Sequence, residues 1–275
     1  MTSFKKALAN KGFVVGGCIF LAIALIALVG PLVWTVNPNA QEMALRLSAP
    51  SPAHPFGCDD FGRDLLARVI VGARVSLGVG IAVTLATSAL GLVIGAYACY
   101  NERLDHILMR ICDGFMSIPG VLLAIALMAM MGASVWNVII ALSIVYTPSM
   151  ARIVRSRAMV VKEEPFVEAL RVQGASTARI VWLHIVPNVM APFLVQATFV
   201  FAEAVLSEAA LSFLGLGIKA PDASWGNILQ AGKNVMRKAW WMIFFPAAAI
   251  IASVLSLNLA GDGLRDALDP KTKED

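Results

Sequence analysis

The sequence is poor in charge: 15% of its 275 residues are Asp, Glu, Lys or Arg, against about 25% in soluble domains. A chain of this length cannot clothe a water-facing surface with so little charge, which excludes an ordinary solvated globule. Histidine is scarce, and His54, His106 and His184 lie far apart, so no HExxH zinc constellation exists. The four cysteines, Cys18, Cys58, Cys99 and Cys112, include no C-x-x-C spacing, which argues against a zinc ribbon or a disulfide framework. A phosphate-binding GxxxxGK[ST] loop is missing too, since Gly232-Lys233-Asn234 lacks the first glycine and the hydroxyl residue. No catalytic, cofactor-binding or metal-ligating residue is assigned. If ATP drives this protein, another polypeptide must bind it.

Apolar residues are what the chain has, at 59%, above the roughly 45–50% of soluble domains. A bilayer accommodates that surplus. The fold class expected is all-α, polytopic, with six transmembrane helices. A span needs about 20 mainly apolar residues, and the six candidates are 13–36, 75–100, 107–131, 134–156, 187–207 and 239–261. Pro119 and Pro148 are expected to kink their helices, which neighbours in a bundle can accommodate. The first run follows Lys5, Lys6 and Lys11. It exceeds the 7–15 residues of a signal-peptide core and has no small-x-small cleavage site, so it reads as a retained, orienting helix.

Six spans put both termini on one side. With the N-terminus inside, fourteen Lys and Arg fall in inside segments and eight outside. The bias favours cytoplasmic termini, and it accounts for the net charge of +4 without nucleic acid. The organisation expected is a cytoplasmic segment 1–12, a first helix 13–36, an outer segment 37–74, a five-helix core 75–261 and a cytoplasmic tail 262–275. The core carries an inner loop, 157–186, and an outer loop, 208–238. The outer segment should hold an amphipathic helix near Arg63–Val71. The outer loop reads either as a folded cap or as a segment dipping back to line a pathway.

Charges inside apolar runs are costly. Arg110 and Asp113 are spaced to pair on one helix. Glu203 and Glu208 admit two readings, a cavity taking a cationic amine or hydrogen bonds between helix ends. Arg152, Arg155 and Arg157 suit either lipid phosphates or orientation. Gly91-x-x-x-Gly95 lets a neighbouring helix approach closely, within this chain or in a partner.

Residues 163–187, EEPFVEALRVQGASTARIVWLHIVP, form a polar island between apolar runs. Pro165 suits the first helical position and Gly174 the left-handed stop. The helix between them, Phe166–Gln173, is about 12 Å long, too short to stand alone in water. Phe166 and Leu170 share a face and are expected to dock on another subunit. Glu168 is read as a polar contact at that dock or as a partner of Arg171.

The order Glu168-Ala169-Leu170, three residues, Gly174, and later Val186-Pro187 resembles the cytoplasmic loop of ABC importer permeases. Leu170 stands for the second Ala of the family pattern, His184 for Ile and Val186 for Leu. Three further blocks, at 54–80, 206–229 and 258–270, are similar to the second membrane subunit of the dipeptide/oligopeptide/nickel importers. The resemblance implies a type I ABC importer permease in the bacterial cytoplasmic membrane, in contact with lipid. It also implies a heterodimer with a related permease, two cytoplasmic ATP-binding subunits that carry ATP and Mg, and an extracytoplasmic substrate-binding protein. Phe166, Glu168, Ala169, Leu170 and Gly174 would couple to the ATPase. No pathway residue is assigned. The substrate would be a peptide or, as alternatives, a nickel complex, opine or sugar. A secondary transporter without an ATPase is the alternative from a different class.

Overall fold

The computed structural model describes residues 8–268. Lys5, Lys6, Lys271 and Lys273, used above for orientation, lie outside the described residues. Ten α-helices order this part of the chain: α1 Lys11–Val33, α2 Leu65–Tyr100, α3 Glu102–Met116, α4 Gly120–Met131, α5 Val135–Lys162, α6 Pro165–Val172, α7 Thr177–Ile180, α8 Val186–Phe213, α9 Trp225–Lys233 and α10 Trp241–Leu268. Among the described residues, five helical stretches are long and apolar enough to cross a bilayer. The pair α3–α4 makes a sixth if it is counted as one bent span.

That pair occupies the span expected over 107–131, and the kink expected at Pro119 is a full break in the helix. The chain breaks at Ser117–Pro119 and turns by 89°. Pro119 has no N–H to continue a ladder, and the Ser117 hydroxyl donates back to the Gly114 carbonyl at 2.7 Å. Before the break, Glu102, Arg103, Asp105, Arg110 and Asp113 give α3 a charged face that an apolar rod would have to bury. A correction concerns Arg63–Val71, which forms no separate helix. Asp64 caps α2 by accepting from the Ala67 N–H at 2.7 Å, and α2 then runs unbroken to Tyr100.

α2 is the spine of the bundle and packs most extensively on α5. Gly91 and Gly95 allow this, so the small-residue stripe works within this chain. A Cβ on Gly95 would lie 2.5 Å from the Ala151 carbonyl oxygen and 2.7 Å from the Val154 Cβ. α1 lies along α10 through another glycine: a Cβ on Gly16 would meet the Ser256 carbonyl oxygen at 2.5 Å. Pro31 cannot donate to the carbonyl four residues back, and the Arg74 Nε takes that bond, donating to the Ala27 oxygen at 2.6 Å.

The 34–64 segment is an ordered polar cap. Asp64 also accepts from the Trp34 indole at 3.0 Å and contacts the His54 ring at 2.8 Å. Asp59 accepts from the Arg63 Nε at 2.6 Å. The Trp241 indole donates to the Cys58 carbonyl at 3.1 Å. The 208–238 stretch is the other half of this cap: α8 runs on to Phe213, and α9 docks behind it. Trp225 is fully buried, and its indole donates to the Val69 carbonyl at 3.1 Å.

Two outcomes are expected. Gly95→Val should separate α2 from α5 and cost about 1–3 kcal/mol, the usual range for overpacking. Thermal unfolding in detergent, compared with Gly78→Ala where no atom lies within 4 Å of the added methyl, checks it. Cys58 is fully buried, and burial together with Asp64, Asp59 and Glu42 pushes its thiol up to about 11. It should therefore stay unlabelled by a water-soluble maleimide at pH 7.5 until the protein is unfolded. Rapid labelling of the folded protein at Cys58 would contradict this packing.

Candidate coupling site

α6 is built from the residues that flank it. The Lys162 ammonium at the end of α5 donates to the Cys99 carbonyl at 3.0 Å, which ties α5 to the end of α2. Glu163 and Glu164 turn the chain, and Pro165 opens α6 where its missing N–H is harmless. The helix ends at Val172 with Gln173 as its cap, within one residue of the expected bounds at each end.

Gly174 closes it with φ +78°. The Ala175 N–H donates to the Leu170 carbonyl and the Gly174 N–H to the Arg171 carbonyl, both at 3.0 Å. This paired arrangement satisfies carbonyls that a helix end would otherwise leave orphaned. No atom lies within 4 Å of a Cβ built on Gly174. Backbone conformation, not space, therefore demands glycine here.

Two apolar side chains hold α6 to the bundle. Val167 is fully buried, and Leu170, three residues on, is partly buried beside it. Their cluster includes Met150, Val154, Ala158, Ile180 and Ile185. This corrects the pairing of Leu170 with Phe166 on a docking face, because Leu170 turns toward the chain's own core. Phe166 remains 42% exposed, with the His184 ring centroid 6.5 Å away. Glu168 and Ala169 are exposed, and Val172 is 84% exposed. The outward surface is therefore Phe166, Glu168, Ala169 and Val172. Val172 went unnoticed in the sequence because a two-turn helix shows too few repeats to define its inner face.

The ion pairs also rearrange. Glu168 does not pair with Arg171, whose guanidinium lies 5.3 Å from the centre of the Tyr100 ring. Asp113 does not pair with Arg110. It accepts from Arg152 at 2.6 Å, and Asp105 accepts two hydrogen bonds from Arg155. Two of the three arginines of α5 thus hold α3 in place, a role legible only once α3 and α5 are neighbours.

Beyond α6, Ser176 caps α7, and a π turn over Val181–Ile185 leads into α8. The wider turn relieves the clash that the Pro187 ring would make with the carbonyl four residues earlier. The Trp182 indole donates to the Tyr97 hydroxyl at 3.1 Å. A rigid elbow thus joins α6 to the long helix α8.

Residues 87–274 match the model of the binding-protein-dependent transport system inner membrane component. The chain belongs to that family. Residues 2–50 also match the N-terminal transmembrane domain of oligopeptide transport permease C. A putative peptide transport system permease protein of Brucella abortus is 45% identical, with 98% of this chain and 91% of the relative covered. The dipeptide transport system permease protein DppC of Alkalihalophilus pseudofirmus is 42% identical over 98% of this chain and 90% of its own. The oligopeptide transport system permease protein OppC of Bacillus subtilis is 38% identical over 97% and 88%. Among solved structures, an inward-facing form of the MetNI methionine ABC transporter aligns with a TM-score of 0.61. It shares 20% identity and covers 74% of this chain and 98% of its own, a likeness of fold. The chain is a multi-pass inner-membrane transport subunit with the all-α importer permease fold.

Gly174→Val should break the α6 stop, since a β-branched residue at this φ costs about 1–3 kcal/mol. Gly174→Asn should keep it, because Asn tolerates the left-handed region. Hydrogen exchange at the Ala175 amide checks this: protection should survive in the Asn variant and disappear in the Val variant.

Proposed function

We propose that the chain forms half of the membrane pathway of an ATP-driven importer of short peptides. The other half is a related permease subunit. Two cytoplasmic ATPase subunits, which bind ATP and Mg, supply the motion, and an extracytoplasmic binding protein delivers the substrate. The termini and α6 face the cytoplasm, and the 34–64 and 208–238 cap faces outward, as the Lys and Arg bias favours.

The observation that carries the reading is α6. It is a short helix with its inner face locked to the bundle and Phe166, Glu168, Ala169 and Val172 turned out. An apolar pair beside a carboxylate suits a groove on a soluble motor. Closure of the ATPase pair would push α6 as a unit, and the π-turn elbow would pass that movement to α8. The membrane halves then alternate between outward and inward openings. Relatives named for peptide, dipeptide and oligopeptide transport support the substrate class.

The test is reconstitution of the full complex with its binding protein. Fully burying one side chain such as Phe166 or Val172 is worth roughly 1.5–3 kcal/mol, so losing it should weaken docking about tenfold or more. A Phe166→Ala, Glu168→Lys double variant should insert and pair with the second permease. It should lose most dipeptide uptake and most substrate-stimulated ATP hydrolysis. Uptake at the wild-type rate by an assembled double variant would show that α6 is not the coupling element.

A further inference from the structure

One face of α8 is not packed on this chain, and it is polar at intervals that a lipid-facing helix would avoid. Asn188, Gln196 and Glu203 recur along it. Two concave spaces lie against this face and share Gln196 and Phe199 in their walls, so they form one groove. The first, about 830 Å³, lies between α8, α5 and the end of α10 and carries Arg152, Arg157 and Arg265. The second, about 510 Å³, lies farther along α8 and carries Glu203, Asn258 and Asp262. Their sizes fall in the range of small-molecule sites.

The charges in the groove are segregated by sign. Arg152 is already engaged by Asp113 at 2.6 Å, which leaves Arg157 and Arg265 as the basic end. Among the described residues, neither has an ion-pair partner, and neither do Glu203 and Asp262. All four are exposed in this chain. Glu203 lies within a span, where an ionised group marks a pathway or a partner contact because hydrocarbon solvates it so poorly; Arg157, Asp262 and Arg265 stand at the inner end of the groove, past the expected spans.

The spacing follows from helix geometry. A Cβ on Gly261 would contact Thr198, which places Arg265 roughly level with Leu194 on the antiparallel α8. At roughly 1.5 Å per residue, Arg265 then sits about 5 Å along the axis from Asp262 and about 14 Å from Glu203. An extended chain spans at most about 3.5 Å per residue, so peptides of roughly two to four residues bridge these separations.

We propose that this groove is a dipolar binding stretch for zwitterionic short peptides. The α-ammonium is held at Asp262 for a dipeptide and at Glu203 for a tetrapeptide, and the α-carboxylate at Arg157 and Arg265. The proposal rests on the peptide-import reading and adds to it which residues meet the substrate, by which of its ends, and in which direction it lies along α8.

The experiment uses the complete reconstituted complex during turnover. Its probe is trialanyl-photoleucine, a tetrapeptide long enough to reach from Glu203 to Arg265, with a photoreactive side chain, used free, N-acetylated or C-amidated. Labelled residues are located by mass spectrometry, and copurification of the second permease reports assembly. The free tetrapeptide should label the 196–206 and 254–265 stretches. Glu203→Gln should lower that labelling about tenfold for the free tetrapeptide and leave the N-acetylated probe unchanged. Arg265→Gln should do the same for the free tetrapeptide and spare the C-amidated probe. Peptide import with labelling indifferent to both substitutions would overturn the groove assignment and leave the import reading intact. Loss of the second permease from the purified Glu203→Gln complex would overturn it too, by making Glu203 an interface charge. If no peptide is imported or labels any subunit while the complex imports another solute, the peptide reading fails first and the groove assignment falls with it.

Discussion

A polar group inside a bilayer has no water to turn to, and this rule organises the molecule. Every backbone N–H and carbonyl in the hydrocarbon must find a partner within the protein. Pro31 frees a carbonyl and Arg74 fills it. Glu208, fully buried, accepts from Ser76 and Ser212, each at 2.7 Å. Ser76 also receives the Trp225 N–H at 3.3 Å, and Ser212 receives the Ile218 N–H at 3.0 Å. One carboxylate thus gathers α2, α8, α9 and the loop before α9. Of the two readings open for Glu208 in the sequence, the structure takes the hydrogen-bonding one.

The opposite end is held by close packing. Small residues on α2 let α5 approach until side chains meet backbone, and the same cluster of apolar side chains continues to Val167 and Leu170. α6 is therefore seated on the helices that form the bundle, with no flexible tether between them. Its stop at Gly174 and the π turn before Pro187 complete a stiff connection to α8. A stiff connection is what the coupling role proposed for α6 requires.

α8 joins these two ends. Its buried face carries Glu208 and the apolar residues that meet α2 and α5. Its open face carries Asn188, Gln196 and Glu203, beside the basic end of α5 and the charged last turns of α10. A helix with one apolar and one polar face in a bilayer needs a second surface against its polar side.

The spans, the α6 island and the glycine stop were legible in the sequence because each is a local property. Apolar run length reports on the solvent, Pro165 and Gly174 report on their own backbone angles, and Gly91 and Gly95 report that something comes close. What tertiary structure alone decided is which groups meet. The 89° size of the bend expected at Pro119, the transfer of Asp113 from Arg110 to Arg152, and the inward turn of Leu170 depend on which helix lies alongside. So does the division of labour between Glu203 and Glu208, five positions apart on one helix. At about 100° per residue that spacing points the two carboxylates in different directions, one to a serine on α2 and the other to an open groove. A linear pattern records the charge of each, but its surroundings exist only after the bundle has formed.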